Sequence, residues 1–155
     1  MNWFELKLPP PLVALACAAL VWPLRTYWPL PWQLQHPLLP ALALALVAAA
    51  LLLAITAVVQ FRRQHTTVHP FAPEQTKQVI THGVYRFSRN PMYLAMAQLP
   101  FAAGLWLQTP LYGLLTSSVF VLFISRFQII PEEQALSHHF GQPYQDYLSQ
   151  VRRWL

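Results

Sequence analysis

The chain has 155 residues, of which 55% are apolar and only 10% charged, with ten Lys and Arg against five Asp and Glu. The length suits one domain, but the apolar residues come in uncharged blocks far longer than a core helix needs, which excludes an ordinary soluble protein. The basic excess flanks those blocks and so points to membrane topology, not to nucleic acid.

Trp3, Phe4 and Lys7 precede three prolines and read as an interfacial lead-in. A first apolar block, about residues 12–30, holds one charge, Arg25, near its end, where a long side chain reaches the interface. Pro23 is expected to kink it. Glu5 beside Lys7 makes the start poorly basic, and more membrane follows, so the block reads as a retained first span and not as a cleaved leader. Cys17, the single cysteine, rules out a disulfide framework and reads as a buried thiol.

The aromatic, proline-rich connector from Tyr27 to Trp32 carries no Lys or Arg after Arg25 and reads as an outer turn. Span two, about residues 38–60, lies in 24 uncharged residues from Leu38 to Phe61 and is closed by Arg62-Arg63. The polar loop 64–90 cannot span and is too long for an idle turn, so it is expected to carry function. Asn90 suits an N-cap and Pro91 the first turn of span three, about 91–108, with a bend at Pro100. Gln108-Thr109-Pro110 then turns the chain into span four, about 110–130.

Beyond Pro131 the chain becomes polar. Gly141 suits a helix end and Pro143 a new helix start, and Leu136, Phe140, Tyr144, Tyr147, Leu148 and Val151 mark apolar faces of an interfacial helical tail, 131–155. The predicted fold is therefore all-α and polytopic, a single membrane domain with about four transmembrane helices. Eight of the ten Lys and Arg (Lys7, Arg62, Arg63, Lys77, Arg86, Arg89, Arg152, Arg153) fall in the lead-in, between spans two and three, or in the tail. Four spans put all three on one side, which positive-inside makes cytoplasmic, together with both termini. The span three to span four hairpin then brings Arg89 to Tyr93 close to Arg126 to Glu133.

Each cluster has a structural reading: Glu132-Glu133 as a solvated first helical turn, and Gly83 to Tyr93 as topology-setting arginines with belt tyrosines. Paired, they become more specific. A glycine freeing backbone N–H groups, aromatic faces, arginines and a facing carboxylate suit a zwitterionic ligand with a flat ring. His65 and His69 lack the following Glu of a zinc protease, adjacent His138 and His139 diverge on a helix, and no metal site is expected. No Gly-x-Ser-x-Gly, P-loop or Gly-x-Gly-x-x-Gly is present.

Gly83-Val84-Tyr85-x-x-x-Arg89-Asn90-Pro91-Met92-Tyr93, followed by Glu132-Glu133-x-x-Leu136-x-x-x-Phe140-Gly141-x-x-Tyr144-x-x-Tyr147-x-x-x-Val151, resembles the isoprenylcysteine carboxyl methyltransferase family, to which phospholipid methyltransferases are related. The likeness covers roughly residues 67–155. It implies a small bacterial-type inner-membrane methyltransferase that uses S-adenosylmethionine at the cytoplasmic face. By position, Gln78, Val79 and Ile80 would contact the cofactor through the backbone, Gly83 would belong to the same loop and Tyr85 would wall the pocket. Asn90, Pro91, Met92 and Tyr93 would form a ledge, and Glu132 would hold the cofactor's amino group.

Asn90 stands where a histidine is common in that family, and Gln128 where eukaryotic members have an arginine that pairs with the substrate carboxylate. Arg126, or Arg89 if turned inward, is expected to orient an anionic acceptor, with Arg126 and Gln128 on the substrate side. The implied partners are a lipophilic or small-molecule methyl acceptor and membrane lipid, with no nucleic acid. Two other readings stay open: an NADPH-dependent membrane reductase of the sterol type, and a non-catalytic membrane interaction protein.

Overall fold

Prolines set where most of the helices begin, because a residue without an N–H loses nothing in a first turn whose N–H groups have no intrahelical partner. The computed structural model describes residues 8–31, 34, 36–63 and 79–155. Its helices are α1 (Pro10–Tyr27), α2 (Leu38–Arg63), α3 (Pro91–Trp106), α4 (Pro110–Ile124), α5 (Ile130–Phe140) and α6 (Gln142–Gln150). A 3-10 turn, Gly83–Arg86, precedes α3, and a π turn, Ser125–Ile129, joins α4 to α5. Proline occupies the first turn of α1, α3, α4, α5 and α6. No strand occurs among the described residues, so the fold is all-helical.

Helix α3 is the axis on which α1, α2 and α4 pack. Ala14 and Cys17 of α1, Tyr93 and Ala97 of α3, Phe120 and Ile124 of α4 and Ile129 of the π turn form the main core. Leu39 and Ala43 join α2 to Leu105 of α3. The small residues of α3, Ala95, Ala97, Ala102 and Gly104, are buried and let the neighbouring backbones come close. The large aliphatic residues point the other way: Leu42, Leu44, Leu51, Leu52 and Ile55 of α2 and Leu111, Leu114 and Leu122 of α4 are exposed. An apolar exterior of this kind is stable in lipid and costly in water. Two stretches, Leu38–Arg62 and Pro110–Phe140, are long and apolar enough to cross a membrane.

The second stretch runs past Pro131, beyond the expected end of span four at about residue 130. The helix continues through it for 31 residues. A proline inside an α-helix clashes with the carbonyl four residues back, here that of Phe127. That residue lies in the π turn, whose wider i→i+5 pattern relieves such a conflict, so the helix changes pitch instead of ending.

The α3–α4 hairpin closes through Gln108, in the left-handed region at φ 58°, with the Thr109 N–H donating to Gly104 O at 2.8 Å. Ser117 Oγ donates to Ala97 O at 2.9 Å across the pair. Gly104 and Gly113 face each other where the helices cross. A Cβ on Gly113 would lie 2.8 Å from Gly104 Cα, and one on Gly104 would overlap Gly113 Cα. Gly104→Ala is therefore expected to force the hairpin apart at a cost of about 1–3 kcal/mol, read as a lower melting temperature in detergent; an unchanged melting temperature would contradict the crossing.

Candidate functional site

The site is assembled at one end of the bundle, starting from the last turns of α2. Gln60 reaches across to the 3-10 turn, where its Oε1 accepts from Val84 N–H at 3.3 Å. Gly83 has φ +62°, where a side chain is strained, and a Cβ there would displace the Gln60 amide, so the turn favours glycine. The turn presents Tyr85, whose ring packs edge-on against Phe61 at 5.3 Å. Ala57, Ile80, Val84 and Met92 complete the apolar cluster around it. Its phenol oxygen is buried with no hydrogen-bond partner among the described residues. Buried polar atoms are rarely left so, and ligand sites are one place where they are.

At the start of α3, Asn90 sits at the N-cap position but its side chain does not cap the helix. Its Nδ2 donates instead to Arg153 O at 2.9 Å. The Arg89 N–H donates to Arg152 O at 3.1 Å. The segment after α6 is thus strapped over the entry to α3. Glu133 anchors it by accepting from Arg153 Nε at 3.2 Å and Nη2 at 2.6 Å, and it also pairs with Arg89 Nη1 at 3.4 Å. Beyond it, Trp154 Nε1 donates to Ser125 Oγ at 3.1 Å, and the indole packs on the main core.

The two halves of the sequence pattern meet through Tyr93. Its O–H donates to Glu132 Oε1 at 2.6 Å, a distance typical of a bond to a charged acceptor. Gln128 Nε2 donates to the same oxygen at 3.0 Å. The far wall comes from α6, where Tyr144 and Tyr147 are buried, with ring centroids 6.1 Å apart, and Tyr147 O–H donates to Tyr85 O at 2.8 Å. Loss of hydration pushes the phenols of Tyr85 and Tyr144 above the usual tyrosine range. It pushes Tyr147 up to about 12, against a smaller opposing pull from Arg89. The hydrogen bonds to Glu133 raise Arg153.

Of the residues expected at the site, Ile80, Tyr85 and Met92 form one cluster, Tyr93, Gln128 and Glu132 another, and Pro91 lies buried at the foot of α3. Val79 is half-buried beside Ile80, and Gly83 supports the turn. Gln78, with residues 64–77 of the expected loop, lies outside the described residues. Arg89 is engaged with Glu133, while Arg126 is exposed with its guanidinium 5.4 Å from the Phe127 ring centroid. Gln128, expected on the acceptor side, is only 2% exposed and bonded to Glu132. Gln60 and the 151–154 strap were not legible beforehand. A glutamine closing an apolar span and a pair of arginines near a tail look like topology in any sequence. The tyrosines of α6 were visible as an apolar face, but their inward orientation was not.

Residues 38–143 match the model of a family described as phospholipid methyltransferase. The chain belongs to that family. A probable protein-S-isoprenylcysteine O-methyltransferase from rice (Oryza sativa subsp. indica) is 36% identical over 102 residues, 64% of this chain and 51% of the rice protein, and its counterpart from subsp. japonica matches equally. The chain thus spans about half the length of these relatives. An uncharacterized protein from Haemophilus influenzae is 42% identical over 64 residues, its whole length and 41% of this chain. No solved structure matches. Membership supports methyl transfer as the chemistry and a membrane as its setting, and it bears out the resemblance to the isoprenylcysteine carboxyl methyltransferases.

Two expectations follow for this methyltransferase-family chain. Arg153→Ala removes the two-point bond to Glu133 and should loosen the strap by about 1 kcal/mol, a roughly fivefold faster opening. Hydrogen exchange at the Arg89 amide checks this, and unchanged exchange would mean that the strap is held by other contacts. The second concerns alkali. Folded phenols titrate above the unfolded value of 10.0, so their contribution is present below pH 10 and is lost as pH rises towards about 12 for Tyr147. Thermal stability should therefore fall between those limits, and Tyr147→Phe should flatten part of the fall.

Proposed function

We propose that the chain is an S-adenosylmethionine-dependent methyltransferase acting at the cytoplasmic face of a membrane on a lipophilic or small-molecule acceptor. In this reading α1 to α4 are four spans, and the end that carries Arg62, Arg86, Arg89, Arg152 and Arg153 faces the cytoplasm. The observation that carries the proposal is the Tyr93–Glu132 hydrogen bond, which joins the two motif halves 39 residues apart into one polar site lined by tyrosines.

The residues present fit the cofactor. Glu132 receives both of its hydrogen bonds on Oε1, leaving Oε2 without a partner among the described residues and suited to an ammonium group. The unpartnered Tyr85 phenol supplies a donor, and Tyr93, Tyr144 and Tyr147 supply aromatic faces. Val79 and Ile80 would line the same group through their backbones, and Asn90, Pro91 and Met92 would form the ledge beneath it. Asn90 does so indirectly, by holding the strap at Arg153 O.

A sulfonium cofactor supplies an already activated methyl group. The protein's own task is then to align and to exclude water, not to move protons. The Trp154 indole, packed on the core, and the buried α6 tyrosines perform the second part. Arg126, exposed in the π turn after α4, is placed to meet an anionic acceptor, and Arg89 pairs with Glu133.

Calorimetry with S-adenosylhomocysteine tests the proposal. Wild type should bind, and Glu132→Gln should weaken binding by about 10- to 100-fold, the equivalent of one charge-assisted hydrogen bond of about 1.5–3 kcal/mol. Absence of binding by wild type, or equal binding by the variant, would refute it.

A further inference from the structure

Gln128 has a different job from the one its place in the sequence suggests. Its side chain is 2% exposed, and its Nε2 donates to Glu132 Oε1 at 3.0 Å, one helical turn on. Tyr93 O–H donates to the same oxygen at 2.6 Å. Two donors on one carboxylate oxygen fix both the rotation of the carboxylate and the direction of its other oxygen. Among the described residues that oxygen, Oε2, has no hydrogen-bond partner.

The π turn makes this arrangement possible. Phe120, Ile124 and Gln128 are all buried, at successive spacings of four. Along a regular α-helix such a row drifts around the axis, because four residues exceed one turn of 3.6. The wider turn at Ser125–Ile129 slows the rotation, and both Gln128 and Ile129 are buried within it, Ile129 in the main core. Glu132 follows four residues after Gln128, just past Pro131, and meets Tyr93. A side chain held at this depth by the pitch of the helix is poorly placed to change partners when an acceptor arrives.

We infer that Gln128 is a positioning residue on the cofactor side: with Tyr93 it aims Glu132 Oε2 at the ammonium group of the bound cofactor's amino acid moiety, and it does not select the acceptor. The inference rests on the proposed S-adenosylmethionine site and adds to it a residue that acts through Glu132. It follows that Gln128 matters for ligands carrying the amino acid moiety and not for those lacking it.

The test compares S-adenosylhomocysteine with 5′-methylthioadenosine, which has the nucleoside and thioether but no ammonium, on wild type and on Gln128→Met, a substitution of similar volume without donors. The variant should bind S-adenosylhomocysteine roughly tenfold more weakly, the scale of one hydrogen bond to a charged group, and methylthioadenosine as before. The affinity ratio is the readout, because partial unfolding lowers both affinities together and leaves the ratio unchanged. In the Glu132→Gln background, Gln128→Met should change the ratio no further, since effects transmitted through one group are not additive. An unchanged ratio in Gln128→Met, or additive effects in the double variant, would overturn the inference while leaving the cofactor site standing. Failure of wild type to bind S-adenosylhomocysteine would instead refute the site itself, and the inference with it.

Discussion

The hydrogen bond from Tyr93 to Glu132 is the constraint around which the rest of the molecule is arranged. Its two residues belong to different helices, and the bond forms only if α3 and α4 run antiparallel at close range and in a fixed register. The close approach of Gly104 and Gly113 sets the range at the far end of the hairpin. The Ser117 to Ala97 bond pins the register in the middle, and the π turn delivers Glu132 at the near end. A carboxylate at the edge of an apolar bundle is expensive unless it is bonded, and the two donors on its Oε1 offset that expense.

Around this bond lies a second layer that works through backbone atoms. Tyr147 bonds the carbonyl of Tyr85, Asn90 that of Arg153, and the Arg89 amide that of Arg152. Side chains that bond main-chain groups hold segments, not partners, in place. The 3-10 turn and the 151–154 strap are therefore clamped on either side of the foot of α3. Glu133, next in sequence to Glu132, serves this layer by gathering Arg153 and Arg89. Two adjacent carboxylates thus take different tasks, because successive residues on a helix point about 100° apart.

The pairing also bears on how membership of the phospholipid methyltransferase family relates to this chain's own chemistry. The match covers residues 38–143 and so includes the first motif half and the second as far as Gly141, while α1, the α6 tyrosines and the strap fall outside it. Yet α1 contributes Ala14 and Cys17 to the main core, and the strap contributes Trp154. The part shared with the family carries Tyr93, Gln128 and Glu132, and the flanking parts pack around them.

The sequence by itself determined the helical class, the apolar blocks, the proline-marked starts at Pro91, Pro110 and Pro143, and the meeting of Tyr93 with Glu132. These follow from local rules: long uncharged runs, residues without an N–H, and the antiparallel return imposed by a short turn. Only the tertiary structure decided the rest. Whether Pro131 breaks a helix depended on a π turn whose advantage lies in where it places Gln128 and Ile129. Whether Asn90 caps its helix or ties down a strap depended on a carbonyl 63 residues away. Arg89 and Arg126 look alike in the sequence, yet one is held by Glu133 and the other lies at the surface over Phe127. In each case the outcome is set by packing between segments that no local rule contains.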